Sequence, residues 1–494
     1  MRRLGWVFLV ILLALGCWRE ERTVIDVFFI ADVQGFYFSR PEPRMDNQEV
    51  GGYGILKNFL QTRTTPYLLF DGGNWFGSGA EGTLSKGSYV PLLANHIPFT
   101  AGTLTDKDLI YGWPTARELI KGLNYPFVAS NLRLENQIPW PLHDYQIRTV
   151  ENIKIGIFGV LPPLEKNQAR LSGLSALDPI ENAQAMTTLL KEKEVDYIIV
   201  LSTLGLGSQT GYTNASLAAE VEGIDLILSS NQDNETPETE KIKNTWIVYP
   251  GSKLDSVGKI TLQFDKKTHQ LKGIEFVDEP LIKSTYGEDK EMAVQADRLL
   301  SQTRSHMNRF LTKTSQAIAI DLRNQSALGS VLSQCLHKWA KLDGAILNAA
   351  SIRNSLPQGD ITEFDLYKSY PYGDNITFVT LKGSSLIQAL QASLNVEDNF
   401  PQIAGFSVMY TDTEDGKKIE RITLDNGRIV RPNDTYRVAL SDHIVAGGFG
   451  HDEFINALEF KSTFVEARQI MRSCLVRQKL VEVPDYKNRW KLIK

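Results

Sequence analysis

Between Thr23 and about Val277, short apolar runs alternate with amphipathic stretches. The runs are 24–30, 67–70, 127–129, 154–160, 196–201, 224–228 and 246–249. Short runs rich in Ile and Val and bounded by turn residues predict buried strands, and 181–194 predicts a helix between two of them. The alternation predicts an α/β domain over 22–280 with its strands covered on both faces. The stretch 286–310 is polar but places Met292, Ala296, Leu299, Leu300 and Met307 at helical spacing, which predicts a linking helix. A second α/β unit is predicted over 315–494, with helices near 328–339 and 383–394 and strands near 345–347, 378–381, 406–410 and 436–440. Neither an internal repeat nor a low-complexity segment interrupts these patterns.

The first residues read differently. Arg2 and Arg3 precede an apolar run, 4–15, that ends at Ala14-Leu15-Gly16-Cys17. Such a run is too short for the roughly 20 residues that a bilayer span needs. A basic start, a short apolar run and small residues before a cysteine resemble a bacterial lipoprotein signal over 1–17. The expectation is a lipid anchor on Cys17, holding the protein on the periplasmic or extracellular side of the cell envelope. A plain secretory signal or a short uncleaved anchor is the competing reading. With 494 residues, 42% hydrophobic and 22% charged, the chain has globular proportions and room for two or three domains. A net charge of −5 gives no basic footprint for nucleic acid. Cys335 and Cys474 can form one disulfide or stay as two buried thiols, and the sequence leaves both open.

Several short segments carry candidate chemistry. Asp32-Val33-Gln34-Gly35 follows the first predicted strand, then come Gly51-Gly52-Tyr53-Gly54, Asp71-Gly72-Gly73-Asn74 and Ala129-Ser130-Asn131. The second half carries Asn348-Ala349-Ala350-Ser351-Ile352-Arg353, Pro371-Tyr372-Gly373-Asp374-Asn375, Gln402-Ile403-Ala404-Gly405 and Ala446-Gly447-Gly448. In their order and spacing over residues 23–460, these segments resemble the two-domain bacterial 5′-nucleotidases, a family that includes UDP-sugar hydrolases. The resemblance implies a four-layer metallophosphoesterase-like β-sandwich with flanking helices, followed by an α/β 5′-nucleotidase C-terminal domain.

In that family two divalent metals activate a water and clamp phosphoryl oxygens. Their ligand motifs run D-x-H-G, G-D, G-N-H-E, S-H and G-H-x-H. By resemblance Asp32 keeps the first carboxylate, but the histidine beside it is Gln34 and the bridging aspartate is Asn74. The metal-binding asparagine is Thr103, and the histidine that steadies the transition state is Leu104. The S-H histidine is Thr203, and the final pair falls on Asn231 and Asp233. Borderline metals favour imidazole and carboxylate donors, so these changes predict lost affinity. Three readings remain open: a hydrogen-bonded polar cluster without cofactor, a single Mg²⁺ or Ca²⁺ held by Asp32 and Asp233, or a rebuilt two-metal centre.

The family's second domain stacks a nucleobase between two aromatic rings while arginine and asparagine hold phosphate and ribose. Asn348 and Arg353 keep the family residues, Tyr372 takes one ring position, and the other falls on His443. An expected arginine is Ala327 and an expected aspartate is Phe449, near Asp442 and Asp452. The resulting expectation is an envelope-anchored family member that binds a nucleoside, a nucleotide or another envelope component without phosphohydrolase chemistry. The alternatives are an active nucleotide phosphohydrolase and a purely structural surface protein. The sequence names no protein partner.

Overall fold

The computed structural model describes residues 21–493 except 43–44, 77–78, 165–172, 206–210, 231–236, 395, 397, 414–415, 446–452 and 455–456. Cys17, Asn231, Asp233, Phe449 and Asp452 therefore lie outside the described residues.

Two sheets build the N-terminal unit. Strands of the first lie in the order Leu271–Pro280, Ser256–Asp265, Arg22–Ile30, Tyr67–Asp71, Ala101–Gly102, Phe127–Val128 and Leu142–His143. Strands of the second run Glu238–Ile242, Thr245–Tyr249, Leu226–Ser229, Tyr197–Ser202, Ile153–Val160 and Tyr145–Val150. Alternation along Arg22–Ile30 sorts its side chains. Ile25, Val27 and Phe29 join Ile155, Ile157, Ile199 and Leu201 between the sheets, whereas Phe28 and Ile30 pack with Leu56 and Phe59 of the helix Tyr53–Gln61. On the far side, Phe158, Ile198 and Val200 meet Leu190 and Leu217 from the helices Pro179–Glu192 and Asn214–Glu220. The result is the expected four-layer stack. Strands buried on both faces are why these segments read as continuous apolar runs.

Two sequence expectations shift. The helix expected at 181–194 begins at Pro179, because the Asp178 carboxylate accepts from Ile180 N at 2.9 Å and Glu181 N at 3.0 Å, with proline in the first turn. Strands such as Leu271–Pro280 and Gly416–Leu424 were absent from the expected set. They are edge or outer strands with exposed faces, and Leu271–Pro280 has no fully buried residue, so no apolar run marks it.

The linking helix is Lys290–Met307, started by Asp289, whose side chain accepts from Met292 N at 3.0 Å. Met292, Ala296 and Leu299 belong to the core of the N-terminal unit. In the C-terminal unit a five-stranded sheet runs Pro401–Ala404, Gly344–Asn348, Thr435–Ser441, Asn375–Lys382 and Glu459–Glu466. Helices Ala327–Ala340 and Ala467–Val476 cover one face, and Gly383–Leu394 with an outer three-stranded sheet covers the other. Cys335 and Cys474 are bonded, joining two helices 139 residues apart in sequence. The units touch where Lys86 Nζ lies 2.6 Å from Glu466 Oε1. Among the described residues no helix is long and apolar enough to cross a membrane.

Candidate functional site

Asp32, Asn74 and Thr103 follow the C-terminal ends of three neighbouring parallel strands, and Thr203 follows a strand end in the second sheet. Loops at this edge are where open α/β sheets gather their chemistry. The two sheets close tightly here. Ser130 N, just past the first-sheet strand Phe127–Val128, donates to Gly159 O of the second sheet at 2.8 Å, while Thr103 Oγ1 donates to Val128 O at 2.8 Å within the first. A side chain at Gly159 would sit 2.1 Å from Val128 O and 2.9 Å from Thr103 Oγ1, so only glycine permits this approach.

Backbone geometry at the edge is unusual. Asp32, Gln34 and Asn74 all have left-handed φ values, of 50°, 52° and 56°. Each such residue costs roughly 1–2 kcal/mol unless its surroundings impose it. Here hydrogen bonds do so: Gln34 N donates to Asn74 O at 2.7 Å, Gly79 N to Gln34 O at 2.9 Å, and Lys253 N to Asp32 O at 2.8 Å. Within this frame Asn74 Nδ2 donates to Asp32 Oδ1 at 2.6 Å, and both residues are buried.

Behind Asn74 stand two carboxylates: Asp71, which opens the 71–74 segment, and Asp108, which sequence reasoning missed. Asp108 accepts from Asn74 N and Trp75 N at 2.7 Å each, from Thr105 N at 2.8 Å and from Thr105 Oγ1 at 3.0 Å. Complete burial outweighs those four donors and pushes its carboxyl up to about 7. Asp71 accepts from Gly73 N, Tyr125 OH and Trp75 Nε1, and burial raises its pKa as well. The available signal for Asp108 was the Thr105-x-x-Asp108 spacing of a capping box, which the structure forms. Leu104, at the family's histidine position, is fully buried in the apolar core. Among the described residues no group of three or more His, Cys, Asp or Glu is placed to hold a metal ion.

In the C-terminal unit the predicted residues gather at one end of the five-stranded sheet. Asn348 ends its strand, and its side-chain oxygen accepts from Ser351 Oγ at 2.7 Å. Its buried Nδ2 has no hydrogen-bond partner among the described residues. The same holds for Asn399, a residue sequence reasoning missed, whose oxygen accepts from Ala350 N at 2.9 Å. Tyr370 OH donates to Asp374 at 3.1 Å, and burial raises its phenol, with the Asp374 and Asp442 charges adding to the rise. Tyr372, 41% exposed, packs edge-on against Tyr370 at 6.4 Å between ring centres. His443 is exposed on the short helix Asp442–Val445, next to the end of Thr435–Ser441. Arg353 is exposed and anchored through its backbone N to Ser369 O at 2.9 Å. Ala327, at the position expected to hold arginine, is the first residue of the helix Ala327–Ala340.

A four-layer sandwich with its polar cluster at the strand ends, joined to this second sheet, defines a calcineurin-like phosphoesterase fold with a 5′-nucleotidase C-terminal domain. Residues 310–458 match the family model described as "5′-nucleotidase, C-terminal domain". Over that C-terminal stretch the chain matches the 5′-nucleotidase family, and the rest of it is similar to proteins of that family. It is 24% identical over 464 residues to the trifunctional nucleotide phosphoesterase protein YfkN of Bacillus subtilis, covering 81% of this chain and 31% of that one. It is 22% identical over 427 residues to the cell wall protein Lmo0130 of Listeria monocytogenes, covering 73% of this chain and 53% of that one. The chain thus spans about a third and about half of these relatives' lengths. A putative 5′-nucleotidase of Staphylococcus aureus, solved with alpha-ketoglutarate, superposes with a TM-score of 0.76 at 19% identity over 95% of this chain and all of that one.

Proposed function

We propose that this protein is an envelope-anchored member of the 5′-nucleotidase family that binds a nucleoside or nucleotide through its C-terminal unit and has exchanged its two-metal phosphohydrolase centre for a hydrogen-bonded network. The hydrogen bond from Asn74 Nδ2 to Asp32 Oδ1 carries this reading. A bridging carboxylate shares its oxygens with two cations, whereas an amide nitrogen offers hydrogens and no lone pair. The five described positions supply one carboxylate, two amides and two hydroxyls, and Thr103 Oγ1 already donates to Val128 O. That donor set does not suit borderline divalent metals, which take imidazole, thiolate and carboxylate ligands. A buried Asp32 carboxylate needs donors, and Asn74 supplies one where a cation would otherwise stand.

Support for ligand binding comes from the other unit. A buried amide hydrogen without an acceptor costs about 1–3 kcal/mol, and a ligand oxygen reaching Asn348 would relieve it. Tyr372 and His443 offer ring faces at the same sheet end, and Arg353 offers a fork that matches phosphate oxygens. The envelope location rests on the Cys17 signal and on the kinship with a cell wall protein. Calorimetric titration with adenosine and AMP, run beside a phosphate-release assay, tests the proposal. Micromolar to millimolar binding without phosphate release is expected. Steady release of phosphate, or no binding at millimolar ligand, would overturn it.

A further inference from the structure

At the opposite end of the C-terminal unit lies a hollow of about 790 Å³, between the helices Ala327–Ala340 and Ala467–Val476 and the segment that follows them. Its apolar lining includes Val331, Ile470, Trp339 and the Cys335–Cys474 disulfide. Lys338, Lys341, Arg477 and Lys479 also line it, against a single carboxylate, Glu482. None of these four cations has an ion-pair partner among the described residues. A concentration of positive charge in one cavity stands out on a chain whose net charge is −5.

Helix ends explain part of the arrangement. Lys338 lies in the last turn of one helix, Lys341 is its C-cap, and Arg477 is the C-cap of the other. Cations there complement helix dipoles by about 0.3–1 kcal/mol each. That accounts neither for Lys479, which lies beyond the second helix, nor for a cavity of ligand size with an apolar and aromatic lining. The hollow is also separate from the Asn348 cluster. Helix Ala327–Ala340 starts beside Gln402, whose Oε1 accepts from Ser326 N at 2.8 Å, and the strand Gly344–Asn348 runs back toward that start. Asn348 and the Lys338–Lys341 turn therefore stand at opposite ends of the same helix–strand pair.

We infer that this hollow is a second ligand site, for a small amphipathic anion with an apolar or aromatic body and two or more anionic oxygens. Aliphatic and aromatic side chains would cover the body while the cations meet the charge. Volume favours a discrete soluble molecule over a flat lipid surface, and the disulfide holds the two walling helices together before binding, which lowers the ordering cost.

The experiment is a titration of the full chain with 1-naphthyl phosphate, followed by calorimetry at low and high salt, with 1-naphthol and inorganic phosphate as half-probes. One-site binding at least tenfold tighter than either half-probe, and weakened by salt, is expected. Lys338→Glu with Arg477→Glu should weaken it at least tenfold, the milder Lys338→Gln with Lys479→Gln at least threefold, and Tyr372→Ala should leave it unchanged. Circular dichroism checks that each variant remains folded, and unchanged adenosine binding checks it further for the two charge variants. Binding lost in Tyr372→Ala would place the probe in the nucleoside cluster and overturn the inference. So would binding indifferent to the charge changes, no binding at millimolar probe, or binding only to phosphatidylglycerol vesicles.

Discussion

The strand-end loops of the N-terminal unit and the sheet-end loops of the C-terminal unit are built differently. In the first, the backbone is distinctive: three non-glycine residues hold left-handed conformations, and an Asp108 carboxylate secures the turn at Asn74 and Trp75. The side chains it presents are mostly amides, hydroxyls and a buried leucine. In the second, the side chains are distinctive: Asn348, Arg353 and Tyr372 lie at one end of the sheet, and two buried amide groups there lack an acceptor among the described residues. The difference teaches that a fold's geometry and its chemistry are separable. Backbone strain is maintained by groups such as Asp108 that need never touch a ligand, whereas a satisfied network like Asp32–Asn74 leaves a ligand little to gain. Unsatisfied donors mark the place where a ligand still has something to offer.

Breaking the frame of the first region should have the largest effect. Asp108→Ala strands three backbone N–H groups and a hydroxyl, and should cost about 3 kcal/mol or more in chemical denaturation. A loss below about 1 kcal/mol would show that the turn holds itself. The same carboxyl predicts a pH dependence. Its folded pKa of about 7 exceeds its ordinary value, so the folded state retains a proton that the unfolded state releases. Its contribution to stability should therefore be full below about pH 4 and be lost as pH rises toward 7. Stability measured across that window should show this fall in the parent protein, and Asp108→Ala should flatten it.

Next in size is the disulfide of the second region. Replacing Cys335 and Cys474 together by alanine should cost about 2–5 kcal/mol in the denaturation of that unit. Reductant should then have no further effect on the double variant, while lowering the parent's midpoint. An equal response of both proteins would contradict the pairing. Tyr372→Ala should weaken adenosine binding by about 1–3 kcal/mol if stacking carries it. An unchanged Kd would take Tyr372 out of the site. The smallest effect is expected at Asp32→Asn. An amide can join the network with Asn74, so the change in stability should stay within about 1 kcal/mol. A melting temperature that EDTA lowers in the parent but not in this variant would break the comparison between the regions.

The sequence made the buried half of the architecture legible. Runs such as 24–30 and 154–160 sit between two apolar layers, and their composition has no freedom to hide that. Edge strands such as Leu271–Pro280 were illegible because solvent on one side lets polar residues in. At the candidate sites, motif order singled out Asp32, Asn74, Asn348 and Tyr372, and the structure places each at or beside a strand end. Asp108 and Asn399 were missed because their roles depend on what folding brings to them: three backbone N–H groups in one case, a buried amide beside Ala350 in the other. The pairing of the two cysteines depended likewise on two helices 139 residues apart meeting on one sheet face.

If the Asn74–Asp32 hydrogen bond occupies the ground on which two metals would otherwise be held, the protein's metal content should reveal it. Protein purified without chelator, exchanged into metal-free buffer and examined by elemental analysis should hold less than one Zn²⁺ or Mn²⁺ per chain, and added metal should release no phosphate from AMP or UDP-glucose. Two tightly bound metals per chain, with turnover that EDTA abolishes, would contradict the account.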